Sequence, residues 1–424
     1  MIATIQPSAV NGMVHAPASK SSMQRACAAA LVQGGTTILS NAGKSNDDLA
    51  ALDVIQKLGA IVTQLEDGKL KIESKGVRPV SGTLSCGESG LGVRMFTPIA
   101  ALSSEPLLIT GAGSLLSRPM DFFDEIFPPL GINIQSNNGK LPFNIKGPLR
   151  PANIEIDGSL SSQFLTGLLM AYAGAGAQDV TITVKDLKSR PYIDLTLQVM
   201  KAFGMKMPEN RNYEAFYFAP GTQQHLSTTR NYTVEGDWSG AAFLLIAGAI
   251  AGAVDVHGIM NTSTQADKKI VDALLDAGAD VQVSDDKVYV KRSKLEPFSF
   301  DATDCPDLFP PLVALAAHCN GISHIRGLRR LKHKESDRGV TLREEFDKLS
   351  TRIDLNDDEM LVYGNGGVFV KNHILNSHHD HRIAMACAVA CLGADFYTEI
   401  RNAEAINKSY PDFFIHLQSI IHKP

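Results

Sequence analysis

Apolar and polar positions follow one order six times along the chain. A short polar stretch runs into an Ala/Gly-rich apolar segment of helical length, then a glycine, then a β-type run. The polar openings are Ser19-Lys20-Ser21, Gly87-Glu88-Ser89, Gly158-Ser159-Leu160-Ser161-Ser162, Gly236-Asp237-Trp238-Ser239, Thr303-Asp304-Cys305-Pro306-Asp307 and His379-Asp380-His381-Arg382. The β-type runs are Thr37–Leu39, Leu107–Ile109, Val180–Ile182, Val254–Val256, Ile322–Ile325 and Phe396–Ile400. The interval is roughly 65 to 80 residues, and self-similarity at a fixed period signals duplicated units.

The first repeat shows the unit in detail. A helix is predicted over Ser22 to Val32 and a second over Asp47 to Leu58, with Leu49, Leu52, Ile55 and Leu58 on one face and Gly59 as its stop. Ile61–Leu65 and Lys69–Ile72 flank Glu66-Asp67-Gly68, a hairpin signal. Later repeats keep this order. Tyr192–Phe203 and Asp267–Leu275 read as second helices, Phe216–Phe218 as a strand, and Val281–Val283 with Val288–Val290 as a hairpin. Each unit is therefore βαβαββ. Six units of about 70 residues exceed one core, so three plus three is the natural division. The hinge is expected near Thr228 to Val234, where Thr, Arg and Asn cluster.

Composition narrows the class. The chain has 424 residues, 44% hydrophobic and 20% charged, with a net charge of −5. No basic excess argues for nucleic acid. The longest apolar stretch, Ala241 to Val254, is shorter than a membrane span, and Met1–Ile5 lacks a basic segment leading into an apolar core. A cytoplasmic location is expected. Six scattered cysteines give neither a zinc pattern nor a disulfide framework, and Cys387 and Cys391, one turn apart, read as buried thiols.

The polar openings carry the candidate chemistry. A helix N-terminus offers free N–H groups and about half a positive charge, so it suits anions. Lys20 at a helix start opposes the dipole, with Arg25 close behind; the pair is either an anion site or a solvated charge. Capping explains one serine of Ser161-Ser162-Gln163, not the trio, which suggests phosphate binding. In Lys334-Glu335-Ser336-Asp337-Arg338, Glu335 between two cations suits proton transfer if partly buried, although a charge run is usually a solvated face. His378-His379-Asp380-His381-Arg382 looks metal-like, but contiguous residues rarely converge on one ion, and Arg382 reads better as an anion ligand. Gly43-Lys44-Ser45 lacks the upstream glycine of a P-loop, since Ile38 stands there.

In this order, Ser19-Lys20-Ser21 with Arg25, Ser161–Leu165, Arg190-Pro191-Tyr192-Ile193, Lys334–Arg338, Asp380-His381-Arg382 and Lys408-x-x-Pro411-Asp412-Phe413 resemble the 5-enolpyruvylshikimate-3-phosphate synthase family over nearly the whole chain. The resemblance implies a two-domain inside-out α/β barrel, the enolpyruvyl transferase fold, with six βαβαββ repeats, three per domain. Residues 13–232 would form one domain and residues 1–12 with 233–424 the other, with the active site in the cleft between them. It implies transfer of the carboxyvinyl group of phosphoenolpyruvate to the 5-hydroxyl of 3-phosphoshikimate, the sixth step toward chorismate, by addition and elimination. No metal, no organic cofactor, no nucleic acid and no membrane are implied, and a monomer is expected.

Carried over residue by residue, the resemblance assigns 3-phosphoshikimate to Lys20, Ser21, Arg25, Ser161, Ser162, Gln163, Ser189, Tyr192, Asp307 and Lys334. It assigns phosphoenolpyruvate to Lys20, Gly90, Arg118, Gln163, Arg338, Arg382 and Lys408. Asp307 and Glu335 would handle protons, with Lys20 assisting. The two ligands carry about five negative charges together, which cations and helix starts would offset.

One motif departs from the family. Its usual Gly-Asn-Ala-Gly-Thr-Ala-x-Arg reads Gly87-Glu88-Ser89-Gly90-Leu91-Gly92-Val93-Arg94 here. Glu88 should repel an anion unless it turns away or pairs with a cation, and the bulk of Leu91 should shift the helix start. The resemblance places the inhibitor glyphosate beside Gly90, so weaker inhibition is expected. Two alternatives compete. A UDP-N-acetylglucosamine enolpyruvyl transferase in most cases bears a loop cysteine, which Gly113–Pro119 lacks. A non-catalytic repeat scaffold would not gather its cations at one site.

Overall fold

The computed structural model describes residues 1–221, 229–332 and 334–421. The helices that carry the polar openings and their partners are α1 (Lys20–Gln33), α2 (Asn46–Lys57), α3 (Gly90–Ala100), α4 (Ser162–Gly174), α5 (Arg190–Ala202), α6 (Trp238–Ala251), α7 (Phe309–Ala317), α8 (Arg338–Asp347) and α9 (His381–Ala390). All six polar openings lead into helices, the fifth through a short 3₁₀ turn at Pro306–Leu308.

The chain divides into two compact units, residues 18–234 and residues 1–17 with 235–424. Among the described residues, each holds three sheets. The pattern is plainest in the third repeat. Ile154–Asp157 pairs parallel with Val180–Lys185 across α4, and Ala215–Phe218 and Glu209–Arg211 continue the sheet antiparallel. The sheet at Thr83–Ser85 and Pro106–Thr110 and the sheet at Ser299–Asp301 and Asn320–Arg326 repeat this topology.

Two sheets are completed by strands distant in sequence. Thr229–Thr233 pairs parallel with Gly35–Ser40 of the first repeat. Val10–His15, just before α1, pairs instead with Gly252–His257 of the fourth. These pairings set the unit boundaries. Residues 13–17, expected with the first unit, belong with the second, because Val10–His15 is paired along its whole length there. Of the expected hinge, Thr228 lies outside the described residues and the next five residues are a paired strand. Among the described residues, Ile2–Ile5 joins the last repeat's sheet as its antiparallel edge.

Each unit packs three helices at its centre, α1 with α3 and α4, and α6 with α7 and α9. Every residue of α3, α6, α7 and α9 is buried. A helix apolar on all sides has no solvent face, and this arrangement places helices inside and sheets outside. Small residues let backbones approach: a Cβ on Gly167 of α4 would come within 2.7 Å of two α3 carbonyls, those of Arg94 and Met95. The second helices lie farther out. In α2 the buried positions are Asp47, Asp48, Ala51, Val54 and Ile55, while Leu49 of the expected apolar face is exposed. Among the described residues no helix is long and apolar enough to cross a membrane.

Candidate active site

In the unit of residues 18–234, the starts of several helices are tied by side chains. Ser19 caps α1, accepting from the Ser22 amide, and Lys20 is the first helical residue. Its Nζ lies 3.0 Å from Asp47 Oδ2, a buried carboxylate in the first turn of α2. This pairing explains a cation at a helix start. Asp48 beside it forms a capping box with Ser45. Burial pushes the Asp48 carboxyl up to about 6, against the Ser45 hydrogen bonds and Lys20, while Asp47 adds to the rise.

One turn along α1, Gln24 accepts a hydrogen bond from Ser89, 3.1 Å away. Ser89 caps α3 by accepting from the Gly92 amide at 3.0 Å. Gly90 follows at a crowded point. A Cβ there would come 2.9 Å from Arg118 Nη1, 3.1 Å from Arg94 Nη1 and 3.8 Å from Gln163 Oε1. Arg94 donates to Gln163 Oε1 at 2.9 Å and its guanidinium lies over the Phe164 ring, while Arg118 donates to Ser114 Oγ at 3.1 Å. Gly90, Arg94, Arg118 and Gln163 thus meet at the start of α3, where two guanidinium groups and a helix dipole favour an anion.

Two of the four departures from that motif, Glu88 and Leu91, have a physical account. The Glu88 carboxylate packs against Gly113, whose added Cβ would lie 2.5 Å from its Cδ. Leu91 is buried in the apolar core, and Ser89 supplies the cap of this helix start.

The remaining assigned residues of this unit lie at the starts of α4, α5 and α1. Ser161 caps α4, accepting from the Gln163 amide at 3.2 Å, and Ser162 is buried behind it. Ser189 precedes α5 with φ of 56°, and Tyr192 sits in its first turn. Arg25 is 1% exposed. Its guanidinium donates to Thr196 Oγ1 (2.9 Å), the Ser21 carbonyl (2.9 Å), the Tyr192 carbonyl (3.3 Å) and Thr166 Oγ1 (3.4 Å). It braces α1 against α4 and α5, so most of its donors are engaged within the protein.

The other unit gathers Asp307, Lys334, Glu335, Arg338, Arg382 and Lys408 around one further residue, Asp380. Arg338 is 1% exposed and spans the cluster. It donates to Asp307 Oδ1 at 2.7 Å, Glu335 Oε2 at 2.6 Å, and Asp380 through Nε at 2.8 Å and Nη2 at 3.2 Å. Lys334 Nζ lies 3.3 Å and Arg382 Nη2 3.1 Å from the Asp307 carboxylate, and Lys408 Nζ 3.9 Å from Glu335 Oε1. Asp380 also caps α9 and accepts from Ser336 Oγ at 3.1 Å.

Four cations face three carboxylates in this cluster, leaving it one positive charge in excess. Burial alone would raise the Asp307 carboxyl. Arg382, Lys334 and Arg338 overcome that and hold it well below the usual carboxylate range. Burial draws the Lys334 ammonium down, with Asp307 opposing. The Arg338 guanidinium keeps its proton firmly: burial works against it, but Asp380, Glu335 and Asp307 prevail.

Sequence reasoning missed Asp47 as the partner of Lys20 and did not assign Asp380 or Arg94 to the site. The capping box Ser45-x-x-Asp48 and the Asp380-x-Arg382 opening were the available signals.

The buried helices, the outer sheets and the two charge clusters define a protein of the enolpyruvyl transferase type, equipped to hold strongly anionic ligands. In fold it matches the enolpyruvyl transferase NikO from Streptomyces tendae, with TM-score 0.77 and 17% identity over 99% of this chain and 97% of that one. The chain belongs to the EPSP synthase (3-phosphoshikimate 1-carboxyvinyltransferase) family, whose sequence profile matches residues 5–417. It is 34% identical to the 3-phosphoshikimate 1-carboxyvinyltransferase of Clostridium novyi (strain NT), over 98% of this chain and 96% of that protein. It is 36% identical to the one of Aeropyrum pernix, over 96% and 93%. The structure of EPSP synthase from Acinetobacter baumannii superposes with TM-score 0.81 at 25% identity, over 99% of this chain and 98% of that one.

Proposed function

We propose that this chain transfers the 1-carboxyvinyl group of phosphoenolpyruvate to the 5-hydroxyl of 3-phosphoshikimate, forming 5-O-(1-carboxyvinyl)-3-phosphoshikimate and phosphate on the shikimate route to aromatic amino acids. Family membership supports the reaction. The observation that carries it to this chain's own residues is the buried cluster around Arg338, in which Asp307 and Glu335 share a guanidinium.

Ser161, Ser162, Ser189 and Tyr192 with Lys20, Ser21, Arg25, Gln163, Asp307 and Lys334 hold 3-phosphoshikimate. Gly90, Arg118, Arg338, Arg382 and Lys408, with Lys20 and Gln163, hold phosphoenolpyruvate. Asp307 begins as a carboxylate held ionised by three cations. Anionic substrates engage those cations, weaken their pull and return basicity to Asp307, which then accepts the 5-hydroxyl proton as its oxygen bonds to C2 of phosphoenolpyruvate. Glu335, with Lys20 assisting, delivers the proton to C3. Elimination reverses the C3 proton transfer, the C2–O bond to phosphate breaks, and phosphate leaves with its electron pair, taking up the proton that Asp307 had accepted. Fixed guanidinium groups offset the charge that develops. The enzyme would work in the cytoplasm as a monomer.

Phosphate release measured with both substrates present tests the reading. Release should need both 3-phosphoshikimate and phosphoenolpyruvate. Release with UDP-N-acetylglucosamine as acceptor, and none with 3-phosphoshikimate, would overturn it.

A further inference from the structure

The segment of residues 376–380, which ends in Asp380, lies along α8 and is tied to it at two levels. At the upper level Arg338 grips Asp380. The lower level is Glu345, seven residues on, two turns along the same face of α8. Glu345 is 1% exposed, and its carboxylate accepts four hydrogen bonds. His378 Nε2 lies 2.8 Å from Oε1, the Asn376 amide donates to Oε2 at 2.9 Å, and Lys348 Nζ reaches both oxygens at 2.8 Å. A saturated buried carboxylate with no part in the proposed chemistry calls for a structural purpose.

That purpose follows from the backbone between the two levels. His378 and His379 are consecutive side-chain-bearing residues with positive φ, 51° and 57°. Such a conformation persists where surrounding contacts over-determine it. Asn376 and Ser377 supply local bonds, to the His378 amide at 2.8 Å and the His379 amide at 3.1 Å. Among the described residues, the Glu345 bonds are the ones that tie the segment below Asp380 to α8 through side chains. The turn aims Asp380 at Arg338 and opens α9, whose second residue is Arg382.

We propose that Glu345 and His378 form a positioning rung: by clamping the strained 376–380 turn to α8 they hold Asp380, Arg338 and Arg382 in the arrangement that binds an anionic substrate. The pair touches no substrate itself. The link to phosphoenolpyruvate rests on the function proposed above; the clamping does not.

His378 is partly exposed, so its replacement is a milder test than loss of buried Glu345. The test compares His378→Ala, His378→Gln and Arg338→Lys with the parent, using amide hydrogen exchange of peptides covering residues 377–382 and separate titrations with phosphoenolpyruvate and 3-phosphoshikimate. In His378→Ala, exchange of that turn should quicken by about tenfold or more while the α7 and α9 interiors stay protected. Phosphoenolpyruvate affinity should fall by about five- to tenfold and 3-phosphoshikimate affinity by less than about twofold, because misplacing guanidinium groups weakens only what they hold. His378→Gln keeps a donor and should recover most of both effects. Unchanged exchange of the turn in His378→Ala overturns the rung. Quickened exchange with unchanged phosphoenolpyruvate affinity, while Arg338→Lys loses that affinity, overturns its role in substrate binding and leaves the function reading intact. If Arg338→Lys also binds phosphoenolpyruvate normally, the substrate assignment fails, and the exchange result alone decides the clamp.

Discussion

Arg338 Nη2 donates to Glu335 Oε2 at 2.6 Å across a single helical turn's spacing, and the same guanidinium holds Asp307 and Asp380. Glu335 is thereby fixed in one orientation at a site that is 11% exposed. Glu335→Gln preserves its volume and removes the titrating group. Its kcat should fall by roughly 10²- to 10⁴-fold with little change in either substrate's dissociation constant. Steady-state phosphate release together with direct binding measurements reads this. Turnover near the parent's would remove Glu335 from proton transfer.

Lys20 and Asp47 separate structure from function in the other unit. Lys20→Met should abolish most activity and also cost ~3 kcal/mol of stability, because buried Asp47 loses its ion pair with Lys20. Lys20→Met with Asp47→Asn should regain most of the stability in urea unfolding and none of the activity. Recovery of activity in the double variant would make Lys20 a structural residue.

Crowding at Gly90 makes a prediction about anions. Gly90→Ala places a methyl 2.9 Å from Arg118 Nη1 and 3.1 Å from Arg94 Nη1. Those side chains must move, so KM for phosphoenolpyruvate should rise about tenfold and glyphosate should inhibit less, with the unfolding midpoint nearly unchanged. Glu88→Asn should act in the opposite sense on glyphosate by removing a like charge. Leu91→Thr belongs to a different experiment, since it opens the core and costs ~2 kcal/mol or more. An inhibition constant for Glu88→Asn equal to the parent's would show that Glu88 does not influence the anion.

Asp48 makes stability depend on pH. Its carboxyl is raised in the fold to about 6 from an ordinary value of 3.8, first by burial. The folded chain therefore holds a proton that the unfolded chain gives up over this range. The resulting stability is fully present below about pH 4 and is lost as pH rises through about 6; it is on the order of 2–3 kcal/mol. Asp48→Asn retains the bonds with Ser45 and removes the titration. Urea unfolding of the variant between pH 4 and 7 should show a flatter dependence than the parent, and parallel curves would count against this account.

Much of the fold was legible from local pattern. The six polar openings, the Ala/Gly-rich helices after them and the hairpin at residues 61–74 follow from capping chemistry, period and turn residues, all of which act within a few positions. The expected face of α2 misled at Leu49 because periodicity identifies a stripe without saying which neighbour covers it. Buried Asp47 and Asp48 occupy that side instead, where Lys20 and Ser45 satisfy them.

By itself, the sequence determined the six-fold repetition, the nature of each helix start and the residue types available for anion and proton chemistry, since these reside in short segments. Only the tertiary structure decided that Thr229–Thr233 completes the first repeat's sheet and Val10–His15 the fourth's, that Lys20 meets Asp47, and that Arg338 links Asp307, Glu335 and Asp380. The physical reason is range. Strand pairing between residues about 200 positions apart, and the balance of four cations against three carboxylates, depend on which surfaces become buried together when the core forms.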